Sequence, residues 1–393
     1  MKKLYLIIVH NKIRYILGTS VLFLLSISSL WSQERTVPVI LSLWNPVATV
    51  PYDSLVRTYF NFGFQSTTQN VDGAAINLFA HLNKGNLNGF QMSTLSSVSR
   101  GNMHGVQLST FYNATGDCMR GLQLAAIQNT AVRRAWGAQI AAMTNFIIGD
   151  GRGMQLAGLT NIAGSRFRGF QLAGGVNLAS SSVKIVQIAG INNICADTLK
   201  GIQISLGNYT GTLKGVQIGV INVCGGEVKG VQVGIINRSA DTSTVKIGLV
   251  NINPKTRIGA MFYGGNTTKI NFAVRFTNRH IYTLLGFGSH YRDLDTRFSG
   301  AIFYRAGYEW TLIPKRFFVS GDLGYTHIEN FMEDEQVPRR MYSLQARVNF
   351  EYHFCRYSAI FASGGYAHTR YYTCNRVYEN KPIFEMGLAL LNL

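Results

Sequence analysis

The chain has 393 residues, of which 47% are apolar and only 14% charged, and its formal net charge is +18. Globular proteins carry about 25% charged residues, so this balance argues against an ordinary soluble domain. The basic excess comes with no nucleic-acid motif, which removes that class of partner, and the five cysteines show neither CxxC spacing nor a His at metal-site distance.

Residues 1–32 read as a secretory signal. Lys2, Lys3, Lys12 and Arg14 precede an uncharged apolar run from Tyr15 to Trp31, and a polar Gln33-Glu34-Arg35 follows Ser32. An uncleaved helical anchor is the alternative, because the run is close to bilayer length. Loss of the leader's four cations leaves +14 of the original +18, a balance suited to anionic lipid headgroups. Beyond Ser32 no run of about 18 uncharged apolar residues occurs, which excludes further transmembrane helices. Residues 33–57 form an exported lead segment.

Residues 58–257 carry a sixteen-residue repeat. Gln recurs at 91, 107, 123, 139, 155, 171, 187 and 203, then at Gln217 and Gln232. A Gly stands two positions before nearly every Gln and an Asn five or six after it, giving G-x-Q-[ILMV]-[ASG]-x-x-x-N. Gly73 with Ala75 forms a degenerate first copy and Lys246 with Asn251 a last one. The best copies, such as Gly215-Val216-Gln217-Ile218-Gly219-Val220-Ile221-Asn222, make this region similar to the bacterial surface-repeat proteins. That resemblance implies a surface location and no activity.

Two architectures carry such a beat. In a β-solenoid each repeat is one coil, and its Gln and Asn stack as ladders. In an antiparallel meander each repeat is one strand and one turn. A single strong turn signal per repeat follows the Asn, as in Gly116-Asp117, Gly149-Asp150 and Gly164-Ser165, and this favours the meander. Gln would then face Asn across the ladder, and Met154, Leu156 and their equivalents would face lipid or a dry core. The cations before each Gly (Arg120, Arg152, Arg168, Lys184, Lys200, Lys214 and Lys229) would mark the headgroup boundary. Cys195 and Cys224 occupy equivalent places two repeats apart, beyond disulfide reach.

Residues 258–393 are aromatic-rich with a period of two. In Tyr342–Phe354 one face is Tyr342, Leu344, Ala346, Val348, Phe350, Tyr352 and Phe354, while the other is Ser343, Gln345, Arg347, Asn349, Glu351 and His353. Phe298–Leu312 repeats this pattern. Tight connections at Pro314-Lys315 and Cys355-Arg356 alternate with longer ones at Arg292–Arg297, Asn330–Arg340 and Thr373–Pro382. The segment resembles the outer-membrane β-barrel proteins of Gram-negative bacteria.

The fold class expected from these features is all-β, an antiparallel meander closing into a transmembrane β-barrel of roughly twenty strands. The alternative is a β-solenoid of sixteen-residue coils followed by a small eight-stranded barrel. The expected location is the outer membrane after Sec-type export, with outer-membrane lipids and the barrel-assembly machinery as partners and no nucleic acid.

Arg305, Glu309, Asp322, Arg347, Glu351 and His353 fall on the non-lipid face by parity and are the lumen-facing candidates. An ion-pair network filling a barrel explains them without catalysis. No GxSxG elbow with a partner His, HExxH, P-loop or paired-carboxylate signature occurs, so no catalytic residue, metal ligand or cofactor is assigned. A structural or pore-forming outer-membrane protein is the first functional reading. A surface protein for adhesion or partner binding is the second, and an outer-membrane lipid-modifying enzyme a distant third.

Overall fold

The computed structural model describes residues 34–51, 55–242, 245–294, 298–331, 339–372 and 376–391. The leader sequence and Cys374 lie outside them. The chain divides into two compact units, residues 1–181 and 182–393, and each is described by itself.

The first unit is a stack of parallel coils. Gln91 stands in register with Gln107, and the series continues through Gln123, Gln139 and Gln155 to Gln171. Asn113, Asn129, Asn145, Asn161 and Asn177 form a second column. Gly73 and Ala75 stand in register with Gly89 and Gln91, as a degenerate first copy should. The lead segment belongs to the same stack, because Arg35–Trp44 pairs in parallel with Val56–Thr68.

These pairings replace the expected antiparallel meander. Gln faces Gln, not Asn, because an amide one coil away in register satisfies its own kind. Each Gln Nε2 from 107 to 171 donates to Oε1 of the Gln one coil earlier, at 2.6–2.9 Å. Each Asn Nδ2 from 113 to 161 donates instead to Oδ1 of the Asn one coil later, at 2.9–3.0 Å. The two amide ladders therefore run in opposite senses, and their dipoles oppose one another inside a narrow coil where a single aligned row would be uncompensated.

A coil must bend where no turn residue stands, and the structure gives the reason it can. Ala142 and Met143 form a corner, yet their amides still donate to the coil before, to Ala125 O at 3.3 Å and Ala126 O at 3.1 Å. The second Asn proton caps the same region: Nδ2 of Asn145 donates to Leu156 O at 2.6 Å. Stacking thus does the work of a turn motif. The Gly position makes another corner. Gly137 has φ 140°, and a Cβ there would sit 2.0 Å from Gly121 O, so only glycine lets the coils approach.

The expected dry face is also reversed. Gln155 and Asn161 are fully buried, whereas Met154 and Leu156 are only partly covered and Leu159 is exposed. The amides line the interior beside a buried apolar column that includes Leu87, Met103, Met119 and Phe167, while the aliphatic side chains flanking the Gln look outward. Because Arg120, Arg152 and Arg168 lie on coils, they do not mark the ends of membrane strands.

In the second unit the coils run from Val183 to Ile252 and keep both ladders. Gln203, Gln217 and Gln232 donate to the preceding Gln at 2.8–2.9 Å, and Asn193, Asn208, Asn222 and Asn237 to the following Asn at 2.9–3.1 Å. Lys246 and Asn251 close the two columns. Cys195 and Cys224 are buried, unbridged thiols, and Cys224 Sγ lies within hydrogen-bonding distance of Gly211 O.

Eight antiparallel strands then form a closed barrel: β1 Arg257–Gly265, β2 Thr268–Asn278, β3 Ile281–Tyr291, β4 Ser299–Ile313, β5 Phe317–Asn330, β6 Arg340–His353, β7 Ser358–Tyr371 and β8 Val377–Leu391. β1 closes on β8, with Phe262 opposite Leu388. The barrel has eight strands, not roughly twenty, because the repeats that would have supplied the others are spent on coils. No helix of the described residues is long and apolar enough to cross a membrane.

The last coil meets the outer wall of this barrel. Tyr282 and Leu284 belong to the interior cluster, so Thr283 between them points outward, and its Oγ1 donates to Leu249 O at 3.1 Å. Tyr304 OH donates to Gly248 O at 3.1 Å, and Asn278 Nδ2 to Asn251 O at 2.9 Å.

Candidate functional site in the barrel interior

Alternation sorts the side chains along the barrel strands, most cleanly on β5 and β6. On β6, Leu344, Val348, Phe350 and Tyr352 are exposed, while Ser343, Gln345, Arg347 and Glu351 are buried. On β5, Leu323 is 72% exposed and its neighbour Asp322 is 7% exposed. The outside is aliphatic and aromatic; the inside holds charges.

Of the six candidates read from the sequence, Arg305, Glu309, Asp322, Arg347 and Glu351 are buried in the interior. His353 is part-buried at its rim. They fall into four groups. Glu351 on β6 receives both Nη atoms of Arg275 on β2, at 2.6 and 2.9 Å, and His353 Nε2 lies 2.7 Å from its Oε1. Arg347 on β6 and Arg305 on β4 converge on Glu385 of β8, the second pair at 3.7 Å. Glu309 on β4 pairs with Arg257 on β1. Asp322 on β5 accepts from Tyr282 OH and Asn349 Nδ2, both at 2.7 Å, and Ser363 Oγ donates to Asn349 Oδ1 at 2.7 Å.

The structure does not bring Arg347 and Glu351 together. Each has its own partner from another strand, and those partners, Arg275 and Glu385, were missed in the sequence. The signal was present: Arg275 alternates with Val274 and Phe276, and Glu385 with Phe384 and Met386, which are exposed at 63% and 70%. Strands β2 and β6 are four apart in a ring of eight, as are β4 and β8. Arg275–Glu351 and Arg305–Glu385 are therefore bonds across the bore.

Aromatic side chains pack another part of the interior. Tyr263, Phe303 and Phe361 pack edge to face, with ring centroids 6.2 and 5.5 Å from Tyr263, inside the cluster that also includes Met261 and Leu284. At the end bearing the short turns there is a cavity of about 680 Å³ lined by Arg257, Arg275, Lys315, Arg316 and Arg356 among others. Among the described residues no cluster of three His, Cys, Asp or Glu side chains could hold a metal ion. The chemistry available in the bore is charge compensation, with each buried carboxylate held by a guanidinium or by hydroxyl and amide donors.

No family model matches this chain. No curated protein matches it either. Among solved structures it is similar to Neisserial surface protein A, at 8% identity, over 35% of this chain and 94% of that one, with a TM-score of 0.23. A likeness of that extent carries no argument about function.

Proposed function

We propose that the protein is an outer-membrane structural protein in which residues 257–391 form a non-conducting membrane anchor for a β-solenoid of the bacterial surface-repeat type. The observation that carries this reading is the pairing across the bore under an apolar outer wall. An eight-stranded barrel has an interior narrow enough for its own side chains to fill, and here the ion pairs Arg275–Glu351 and Arg305–Glu385 cross it. This favours the structural form of the reading over the pore-forming one. No enzymatic activity is proposed.

The strand count supports an orientation. With eight strands the chain enters at Arg257 and leaves at Leu391 on the same end, the end bearing the turns at residues 279–280, 314–316 and 354–357. Outer-membrane barrels place short turns in the periplasm and longer loops outside. The solenoid, which precedes β1, is then periplasmic, and a role in adhesion to other cells loses its support.

Two measurements test the reading. Reconstituted protein in planar bilayers is expected to give no conductance steps. In intact cells a tag in the loop at residues 331–339 is expected to be labelled from outside, whereas a tag at Gly149-Asp150 is labelled only after the outer membrane is permeabilised. Regular channel steps would restore the pore, and surface labelling of the coil tag would restore adhesion.

A further inference from the structure

The coils of the second unit carry a cationic column beside an apolar one. Lys184 stands in register with Lys200, and Lys214 with Lys229, while Gln217 bonded to Gln203 keeps the two pairs in the same stack. All four ammonium groups are on exposed residues, spaced by about 4.8 Å per coil. Among the described residues only Lys229 of these four has an acidic partner, Glu227 at 3.1 Å. Like charges stacked so closely repel one another, and the repulsion is relieved by an anionic surface.

Past the Gly corner, on the same strands, the outward positions are apolar. Ile204, Ile218 and Ile247 form one exposed column, at 37%, 42% and 57%. Leu206, Val220 and Ile235 form another at the next corner, at 58%, 38% and 48%. Together they line a continuous shallow groove. A stripe of cations edging an apolar face is the amphipathic arrangement that lies in the headgroup region of a membrane, with the lysine stems snorkelling toward the phosphates.

Its position relative to the barrel points to the same occupant. In the last coil the corner that follows the apolar column is Gly248-Leu249, and this corner rests on Thr283 and Tyr304 of the barrel's outer wall. Thr283 is the third residue of β3, counted from the short turn at 279–280. The apolar corner column therefore starts from the lipid-facing wall, near its short-turn end.

Building on the reading of the barrel as a membrane anchor, we infer that the coils from Val183 to Ile252 lie in the lipid leaflet at the short-turn end, with the apolar columns in the acyl boundary and Lys184, Lys200, Lys214 and Lys229 on anionic headgroup phosphates. These coils are thus a second membrane-binding element beside the barrel.

The test uses the full chain refolded into vesicles of phosphatidylethanolamine and phosphatidylglycerol, with Cys118→Ser, Cys355→Ser and Cys374→Ser, which leave the buried Cys195 and Cys224 as the native thiols. An environment-sensitive fluorophore is placed at Leu206→Cys or, as a control for barrel insertion, at Leu323→Cys. Bromine-labelled acyl chains are expected to quench both sites, roughly twofold or more. Lys184→Gln/Lys200→Gln/Lys214→Gln, or vesicles of phosphatidylcholine alone, is expected to reduce quenching at 206 and leave 323 unchanged. Quenching at 323 without quenching at 206 overturns the inference and leaves the barrel intact. Loss of quenching at both sites overturns the barrel reading together with it. Protection of 206 that rises with protein density in the vesicle overturns it in favour of a second copy of the chain. Quenching at 206 that is indifferent to both lipid charge and the lysine substitutions overturns the headgroup assignment.

Discussion

Arg275 and Glu351 join opposite walls of the barrel, the guanidinium of β2 reaching across to the carboxylate of β6 through two hydrogen bonds of 2.6 and 2.9 Å. Both side chains are almost wholly buried, at 6% and 5% exposure. A pair in this setting is poorly described as added stability, because both charges have lost their water. Its consequence is geometric: it fixes which strands face each other across the bore.

Removing one partner is therefore expected to cost more than removing both. Arg275→Ala or Glu351→Ala leaves an uncompensated buried charge and should destabilise the barrel by about 3–5 kcal/mol. The apolar double replacement Arg275→Met/Glu351→Leu should recover most of that loss. Denaturation midpoints in detergent micelles, with heat-modifiable migration on gels as the folding readout, check this. A double variant as unstable as the sum of the singles would show that the pair does not act as a unit.

Val348→Arg tests the lipid face. Val348 is 47% exposed and lies near the middle of β6, where an arginine facing hydrocarbon costs about 2–4 kcal/mol. Val348→Leu should be nearly neutral. Asn349 next to it is not a free interior position, because it bonds to Asp322, Ser320 and Ser363. Equal stability of the Arg and Leu variants in vesicles would remove the membrane from that face.

The barrel was legible in the sequence because its information is local. Alternation along Tyr342–Phe354 separates inside from outside without knowledge of any neighbour. The ion partners were not legible, since Arg275 and Glu351 are 76 residues apart and parity gives a face but no partner. The coils were misread for a related physical reason. A parallel stack holds its bend at Ala142-Met143 with amides donated to the coil before, so the corner needs no Gly, Pro or Asp and leaves no mark in the residues themselves. The beat of Gln and Asn fits both a strand-per-repeat meander and a coil. Only the pairing of Gln155 with Gln139, at 2.9 Å, separates them.

His81 sits early in the Asn column, in register with Ser97 and fully enclosed at 1% exposure. Its Nε2 lies 3.0 Å from Thr68 Oγ1, and burial pushes its pKa down to about 3. An unfolded histidine titrates near 6.5, so stability is fully present above that pH and is lost as pH falls from 6.5 toward 3, by about 1.4 kcal/mol per unit. At pH 5 the first coils should be weaker by about 2 kcal/mol than at pH 8. Hydrogen exchange in Val56–Thr68 and Asn70–Asn83, corrected for intrinsic rates, should show it. His81→Asn, which restores the amide of the later coils, should flatten the dependence; an unchanged dependence would place the titrating group elsewhere.

Coil deletion separates the parallel stack from a meander most directly. Removing Gly153–Arg168 joins Arg152 to Gly169, and Arg152 already stands in register with Arg168 while Gly153 stands in register with Gly169. The cut therefore takes out one full coil and brings Gln139 and Gln171 into adjacent coils, with both amide ladders continuous. In a nearly additive stack this costs one coil and its interface, and chain direction into the barrel is unchanged because every coil runs the same way. Removing Gly153–Thr160, half a coil, leaves the two amide columns out of register and buries unsatisfied polar groups at about 1–3 kcal/mol each. The one-coil deletion should assemble as well as the two-coil deletion Gly153–Lys184, with the loop at 331–339 still labelled from outside, while the half-coil deletion should fail. Inverted labelling of that loop after the one-coil deletion would mean that each repeat reverses the chain, which the parallel pairing of Gln139 with Gln155 forbids.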